Sequence, residues 1–250
     1  GTLARDGFTF AGWNTADDGS GTDYAQGGTY SDDGDLTLYA KWILNTYTVT
    51  YEANEATSGT PPMAQTKTHG VPMALANNSG NLARTGFTFA GWNTETDGSG
   101  TSYAVGETYS ADEDLTLYAE WEIVTYTVTY NDNSADSGSA PADQTKTHGT
   151  DLTLANNTGN LQRSGFTLAG WNTADDGSGT SYAEGATYTD DADVTLYAEW
   201  AENYTVTYNA NGADSGTPPG DQTKIEGIDL TLANNTGNLQ RSGFTLAGWN

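Results

Sequence analysis

The fold of this chain is decided by a stretch that occurs four times, first as Gly7-Phe8-Thr9-Phe10-Ala11-Gly12-Trp13-Asn14. Closely similar copies occupy residues 86–93, 165–172 and 243–250. Their tryptophans stand at positions 13, 92, 171 and 249, so the copies are 79, 79 and 78 residues apart. A period of this size across the whole chain predicts an array of small modules. Such arrays present repeated surfaces or set distances, and they seldom house a single active site.

The modules are predicted to consist of β-strands. Residues 126–130 read Tyr-Thr-Val-Thr-Tyr and 115–121 read Leu-Thr-Leu-Tyr-Ala-Glu-Trp, and both alternate apolar and polar side chains as a half-buried strand does. Shorter strands are predicted at residues 144–148 and 151–154. Clusters of Gly, Asn, Asp, Ser and Pro between these segments favour turns. We therefore expect a mainly β fold, or a small α+β fold if residues 156–162 form a single helical turn.

The most variable segments follow the second tryptophan of each repeat, at residues 43–46, 122–125 and 201–203. Linkers tolerate such variation better than packed elements do. The predicted domains are a C-terminal part of a repeat at 1–42, complete repeats at 47–121 and 126–200, and an N-terminal part at 204–250. Linkers of three or four residues predict an extended array of semi-rigidly held modules. Because both ends fall inside a repeat, we expect this chain to be a window from a longer array.

The alternating pattern and the apolar residue types also predict the core of a module. In the second complete repeat the expected core residues are Tyr126, Val128, Tyr130, Phe166, Leu168, Trp171, Leu196 and Trp200. A module of about 75 residues buries only a modest core, so its stability in isolation is expected to be small.

The chain is strongly acidic: 33 Asp and Glu stand against 8 Lys and Arg, a formal net charge of −25. We therefore expect no binding to nucleic acid or anionic lipid, since a protein needs basic side chains to bind either of them. There are no cysteines, which removes disulfides and thiolate metal sites. No apolar run approaches the roughly 20 residues of a membrane span. The expected partners are neighbouring repeats of the same chain and other copies in a fibre.

The sequence does not favour an enzyme or a bound cofactor. His69 and His148 recur, but the third copy has Glu226 at that position, which fits an exposed strand residue better than a catalytic base. The Asp-Gly-Ser-Gly run at 176–179 lacks the Lys of a phosphate-binding loop.

A pair of aspartates precedes the last strand of each repeat. Clustered carboxylates on loops suit Ca²⁺, but each pair supplies only two side chains. The favoured interpretation is turn chemistry, in which Asp bonds to the nearby backbone. The candidate calcium ligands are Asp33, Asp35, Asp112, Asp114, Asp191 and Asp193.

The few basic residues also recur, as one Lys (67, 146, 224) and one Arg (5, 84, 163, 241) in each copy. They are expected to pair with carboxylates within a module or across its joint, as surface pairs that contribute on the order of 0–1 kcal/mol. A Lys–Asn amide crosslink would need Lys146 buried beside an Asn and a carboxylate.

Two surface roles come from other recurring residues. Tyr103, Tyr109 and Tyr118 are candidates for a sugar-stacking platform, although small cores often use such side chains. Asn77 and Asn156 match the glycosylation acceptor pattern, for which loop capping is the preferred interpretation.

Taken together, the segments Tyr-Thr-Val-Thr-Tyr, Gly-Phe-Thr-Leu-Ala-Gly-Trp-Asn-Thr and Asp-Val-Thr-Leu-Tyr-Ala-Glu-Trp resemble the Listeria–Bacteroides repeat, the B-repeat of internalin-type surface proteins. The resemblance covers essentially the whole chain. It implies a small β-grasp-like fold and a non-catalytic, extracellular role in a bacterial surface or matrix protein. The expected function is a spacer, stalk or fibre-forming segment. The alternative is an adhesive module that recognises glycans or host or neighbour-cell proteins through recurring Tyr and Asp residues.

Overall fold

The computed structural model describes residues 2–249 and divides between Val124 and Thr125 into two compact units. Each unit contains one partial and one complete repeat. No helix occurs in the described residues, so the mainly β prediction is confirmed and the α+β alternative is not. Residues 156–162 form a loop with a turn at 158–159 rather than a helical turn. Residues 2–249 therefore contain no helix able to cross a membrane.

The first unit begins with the strands of the partial repeat, which are β1 (Phe8–Asn14), β2 (Asp23–Tyr24) and β3 (Tyr39–Leu44). The complete repeat follows with β4 (Thr46–Glu52), β5 (Gln65–Thr68), β6 (Met73–Ala74), β7 (Phe87–Asn93), β8 (Ser102–Tyr103), β9 (Thr108–Tyr109) and β10 (Leu115–Ile123).

The second unit repeats this order with β11 (Thr125–Asn131), β12 (Gln144–Thr147), β13 (Leu152–Thr153), β14 (Phe166–Asn172), β15 (Ser181–Tyr182), β16 (Thr187–Tyr188) and β17 (Val194–Val206). Its partial repeat adds β18 (Gln222–Ile225). Strand β17 is continuous through the predicted linker at 201–203, whereas β3 and β4 are interrupted at Asn45.

Each complete repeat is built on a mixed five-stranded sheet. In the first, the strand order is β5-β4-β10-β7-β8, and β6 pairs separately with β9. The first long strand and the last one, β4 and β10, lie parallel at the centre, with Val49 opposite Leu115 and Tyr51 opposite Leu117. The second complete repeat has the same order and the equivalent register. This central pairing brings residues that are more than 60 positions apart into contact.

The core lies on one face of this sheet. In the first complete repeat, Val49, Trp92 and Leu117 are fully buried, and the ring of Tyr51 lies 4.7 Å from that of Trp92. In the second, Val128, Tyr130, Trp171 and Leu196 are buried as predicted. Leu168 and Trp200 pack half-buried against this cluster. The buried residues that the prediction missed are Leu154, Leu161, Tyr188 and Ala198.

Tyr126 and Phe166 are half-buried and are not members of the core cluster, which corrects two of the predicted core residues. Tyr126 contacts His148 through its hydroxyl group, and Phe166 packs under the guanidinium of Arg163. Both aromatic rings therefore cover polar or charged neighbours rather than filling the apolar interior.

A bulge in β7 brings its tryptophan into the core. Strict alternation would place Trp92 on the face opposite Phe89, but the register against β10 skips Ala90. The two rings consequently meet edge to face at 5.2 Å. Gly91 permits this geometry because its φ is +145° and an added Cβ would lie 2.5 Å from the carbonyl oxygen of Tyr103.

Candidate functional site

The most unusual side chain of the first complete repeat is a buried lysine. Alternation along β5 turns Gln65 and Lys67 toward the interior and leaves Thr66 exposed. The Lys67 side chain is 0% exposed, which is rare for a lysine unless its charge is paired. Its Nζ donates hydrogen bonds to the carbonyl oxygen of Thr68 at 2.9 Å and to Asp112 Oδ1 at 2.6 Å. The prediction that a recurring lysine pairs with a carboxylate within its module is therefore correct for Lys67, but the pair is not at the surface.

Asp112 lies in the loop before β10, where its side chain is 29% exposed. The backbone N–H of Gly70 donates to both carboxylate oxygens, at 3.0 and 3.1 Å. The hydrogen bond from Lys67 lowers the pKa of Asp112 below its ordinary value, and the bond from Gly70 acts in the same direction. Asp112 thus joins the edge strand to the loop that leads into the central strand.

His69 completes the cluster. Its Nδ1 lies 3.0 Å from Asp112 Oδ2 and 3.2 Å from the Tyr47 hydroxyl oxygen. Since an ionised carboxylate only accepts hydrogen bonds, Nδ1 carries the proton in this arrangement. The side chain is 24% exposed, so His69 differs from the exposed strand residue that the sequence predicts.

The second complete repeat contains the same lysine–aspartate–histidine cluster. Lys146 Nζ lies 2.7 Å from Asp191 Oδ1, and the other oxygen lies 3.0 Å from His148 Nδ1. The N–H of Gly149 donates to both carboxylate oxygens. The hydrogen bond from Lys146 lowers the pKa of Asp191. Two copies with matching distances indicate a built feature of the repeat.

The partial repeats contain pieces of this cluster. In the last one, Lys224 Nζ donates to the carbonyl oxygen of Ile225 at 2.7 Å, and Glu226 replaces the histidine. In the first one, Asp33 and Asp35 lie exposed in the loop before β3.

The predicted calcium ligands of the complete repeats bind groups of the protein itself. Asp114 Oδ1 accepts the backbone N–H of Thr48 at 2.7 Å, and Asp193 Oδ1 accepts that of Thr127 at the same distance. Asp112 and Asp191 are held by Lys67 and Lys146. Within residues 2–249, no three acidic or histidine side chains are grouped as a metal site would need. The calcium hypothesis and the turn interpretation both stay predictions.

The cluster adjoins the joint between the first partial repeat and the repeat that follows. Asn45 donates its N–H to the carbonyl oxygen of Gly7 at 2.9 Å and accepts the N–H of His69 at 3.0 Å. One linker residue is thus hydrogen-bonded to both repeats. The His69 ring also packs on Gly7, where an added Cβ would lie 2.1 Å from His69 Cδ2.

The joint in the second unit divides these two roles between two residues. Asn203 donates to the carbonyl oxygen of Gly165 at 2.8 Å, while the carbonyl oxygen of Glu202 accepts the N–H of Glu226 at 2.8 Å. Because this linker is one residue shorter, β17 continues directly into the next repeat. Tyr204 donates to the Glu202 carboxylate, and this bond raises the pKa of the phenol.

A second polar centre, which the sequence analysis missed, organises the Asp-Gly-Ser-Gly turn. Asn93 is 1% exposed at the end of β7. Its Nδ2 donates to the Gly98 carbonyl oxygen and to Ser102 Oγ, while its Oδ1 accepts the N–H groups of Glu95 and Gly100. Asn172 makes the equivalent bonds in the second complete repeat. The sequence did contain a sign of this role, since an Asn ends every copy of the repeated stretch.

The remaining candidates have mixed placements. Tyr109 is buried in the core, and Tyr103 packs edge to face against it at 6.2 Å, while Tyr118 is half-buried.

The arginines cover aromatic rings: Arg84 lies 4.0 Å from the ring centre of Phe87 and pairs with Glu55 at 2.5 Å. Asn78, rather than its exposed neighbour Asn77, caps the adjacent loop through two bonds to Leu82.

Comparison with known proteins gives one family. The sequence profile of the Listeria-Bacteroides repeat domain matches residues 1–41, 47–120, 126–199 and 204–250. The chain is 35% identical over 219 residues to a "Putative Gly-rich membrane protein" of Evansella cellulosilytica, a match that covers 85% of this chain and 24% of that protein. A "Putative membrane protein" of the same species is 37% identical over 173 residues, which is 68% of this chain and 24% of the relative. The chain thus spans about a quarter of the length of these relatives. No solved structure matches it significantly.

Proposed function

Since the chain belongs to the Listeria-Bacteroides repeat domain family, we propose that it is a non-catalytic, extracellular spacer or stalk segment of a large bacterial surface or matrix protein. The names of the Evansella relatives, which describe membrane proteins, support a location at the cell envelope. Their greater length is in keeping with a segment that separates other parts of a long protein.

The observation that carries this proposal is the hydrogen-bonded joint. Asn45 is tied by its N–H to the preceding repeat and by its carbonyl oxygen to the following one. In the second unit the strand β17 itself runs through the joint. A spacer needs connections that resist bending, and backbone hydrogen bonds on both sides of a linker supply that resistance.

The occupied polar groups favour a spacer over an enzyme. In the clusters of Lys67 and Lys146, the charged groups bind one another, and the buried amide of Asn93 uses its oxygen and nitrogen within its own turn. A catalytic acid or base needs free access to a substrate. The net charge of −25 keeps a long array soluble and hydrated.

The β-grasp-like fold that the family resemblance implies is part of the same proposal. It is supported by the parallel pairing of β4 and β10 at the centre of a mixed sheet. Here a non-helical connection, residues 75–86, joins β6 to β7.

Adhesion is the second candidate, and one feature favours it. A cleft of about 620 Å³ opens beside Trp121, with Asn54, Arg84 and Glu120 among its lining residues. An aromatic ring next to amide and charged groups is a common arrangement in ligand sites. The recurring residues that the adhesive hypothesis used are less suited, because Tyr109 is buried and Asp112 is engaged by Lys67.

The two candidates differ in what the chain binds. We expect the full chain, immobilised on beads at low and high density, to show no more binding to a glycan array or to cells than an unrelated protein of equal charge. Binding that rises steeply with density would support adhesion, since avidity depends on copy number. Loss of that binding in a Trp121→Ala variant that keeps the circular dichroism spectrum of the wild type, with Trp200→Ala as the matched variant in the other complete repeat, would support the cleft as the site.

A further inference from the structure

The lysine–aspartate pairs are placed for covalent chemistry that the spacer role does not use. Lys67 Nζ lies 2.6 Å from Asp112 Oδ1, and Lys146 Nζ lies 2.7 Å from Asp191 Oδ1. The nitrogen of each pair is therefore in contact with the carboxyl group. Reacting groups held in contact behave as if at very high concentration, which removes much of the entropic barrier to bond formation.

The surroundings of the lysine shield it from bulk water. The Lys67 side chain is 0% exposed, and its nitrogen contacts one backbone carbonyl oxygen and the Asp112 carboxylate. Condensation begins when one proton moves from the ammonium to the carboxylate along the hydrogen bond that joins them. The result is an amine and a carboxylic acid, which are the two groups that condense to an amide.

The donors around Asp112 are suitably placed to assist that condensation. The Gly70 N–H donates to both oxygens and would stabilise negative charge that develops when nitrogen attacks the carboxyl carbon. His69 Nδ1 lies 3.0 Å from Oδ2 and can protonate the oxygen that departs. The partial exposure of Asp112, at 29%, leaves a path for the released water.

We propose that Lys67 and Asp112, and likewise Lys146 and Asp191, condense to an amide that crosslinks each complete repeat internally. The bond between Nζ and the aspartate Cγ forms, and one carbon–oxygen bond of the carboxyl group breaks. Of the three protons of the ammonium, one stays on the amide nitrogen and two leave with the oxygen as water. The reaction balances without an oxidant or a co-reactant.

This assignment differs from the crosslink considered from sequence. The burial of Lys146 is as that hypothesis required, at 0% side-chain exposure. Its nitrogen, however, contacts Asp191 and the carbonyl oxygen of Thr147 rather than an asparagine side chain. The bond would tie the edge strand β12 to the loop before the central strand β17, so that a pulling force could not peel that strand away.

Intact mass measurement of the denatured full chain tests the proposal directly. We expect a mass lower than that of the sequence by two water molecules, one for each complete repeat, and peptides joined between Lys67 and Asp112 after proteolysis. The matched variants Lys67→Arg and Lys146→Arg keep the positive charge, but a guanidinium is a poor nucleophile. Each single variant should have a mass one water below that of its own sequence, and the double variant should have the mass of its own sequence.

Two results would overturn the proposal. One is a wild-type chain, incubated after folding, whose mass equals that of its sequence. The other is a water deficit that persists in the double Arg variant, because the dehydration would then lie elsewhere. If the amide forms, a chain purified in denaturant before it has folded, then refolded and followed over time, should form the amide more slowly with His69→Ala and His148→Ala, and an unchanged rate would remove the histidines from the mechanism.

Discussion

At the scale of single residues, the buried lysine shows where sequence patterns stop being informative. Alternation along residues 65–68 places Lys67 on the same face as Gln65, but it does not say which acid lies opposite. The partner, Asp112, is 45 residues away. The sequence did offer one sign of this pairing, because Lys146 and Asp191 are also 45 residues apart. Three acids, residues 112–114, precede the last strand, and only the folded loop selects Asp112 for the lysine and Asp114 for the backbone of β4.

The buried pair predicts the order of stability of two double variants, each of which carries the same substitution in both complete repeats. Asp112→Ala with Asp191→Ala leaves two buried ammonium groups without a partner, and an uncompensated buried charge typically costs about 3–5 kcal/mol. Lys67→Met with Lys146→Met should cost less, because an apolar chain fills the site and the aspartate keeps partial exposure and its Gly N–H. Thermal unfolding followed by circular dichroism gives the ranking. Glu113→Ala, in the same loop, is the control and should unfold like the wild type. A larger loss in the Met variant than in the Ala variant would contradict this reasoning.

The buried asparagine predicts a second residue-scale effect. Asn93→Ala removes four hydrogen bonds that organise its turn and leaves the N–H groups of Glu95 and Gly100 without that acceptor. A hydrogen bond of this kind contributes about 0.5–1.5 kcal/mol net, so losing four of them should lower the free energy of unfolding, measured in urea, by at least about 1 kcal/mol. The exposed Asn77→Ala is the matched control. A loss as small as that of the control would mean that the turn holds its shape without the asparagine.

At the scale of the elements, alternation predicted the strands well but not the irregularity that completes the core. The predicted strands at 115–121 and 126–130 lie within β10 and β11. In β7, strict alternation would place Phe89 and Trp92 on opposite faces of the sheet, and the bulge at Ala90 brings them to the same face. A Gly inside a strand often marks a bulge, so Gly91 was the available sign. Long-range parallel pairing, such as that of β4 with β10, leaves no local pattern from which it could be predicted.

The joint between repeats gives an element-scale prediction with an internal control. Gly7 and Gly165 both have a left-handed backbone, with φ of +73° and +80°. A Cβ at Gly7 would strike the His69 ring, whereas a Cβ at Gly165 has no neighbour within 4 Å. Gly7→Ala and Gly165→Ala therefore share the backbone strain, and only the first displaces the ring. We expect Gly7→Ala to lower the melting temperature more, and equal shifts would show that the ring contact contributes nothing.

For the whole molecule, the net charge of −25 sets the response to salt. Self-repulsion opposes compact structure, so added ions should raise the melting temperature by screening. Because Asp112 and Asp114 are engaged by Lys67, Gly70 and Thr48, we expect equal rises from CaCl₂ and NaCl at matched ionic strength. An extra rise with CaCl₂ that disappears when both aspartates are replaced by Asn would instead support the calcium hypothesis.

In the proposed spacer, neighbouring repeats are held at a defined distance and orientation, and the joint at Asn45 is the place to measure this. The chain has no cysteine, so Ala11→Cys in β1 and Thr116→Cys in β10, both exposed positions, provide unique sites for two spin labels. Asn45→Pro removes the N–H that binds Gly7, whereas the control Asn45→Ala keeps both backbone hydrogen bonds.

Pulsed electron paramagnetic resonance then gives the distribution of distances between the labels. We predict one narrow distribution for the labelled chain and for Asn45→Ala, and a broad one for Asn45→Pro. A distribution that is already as broad without the proline would rule out the spacer role, because repeats joined so loosely could not set a defined length.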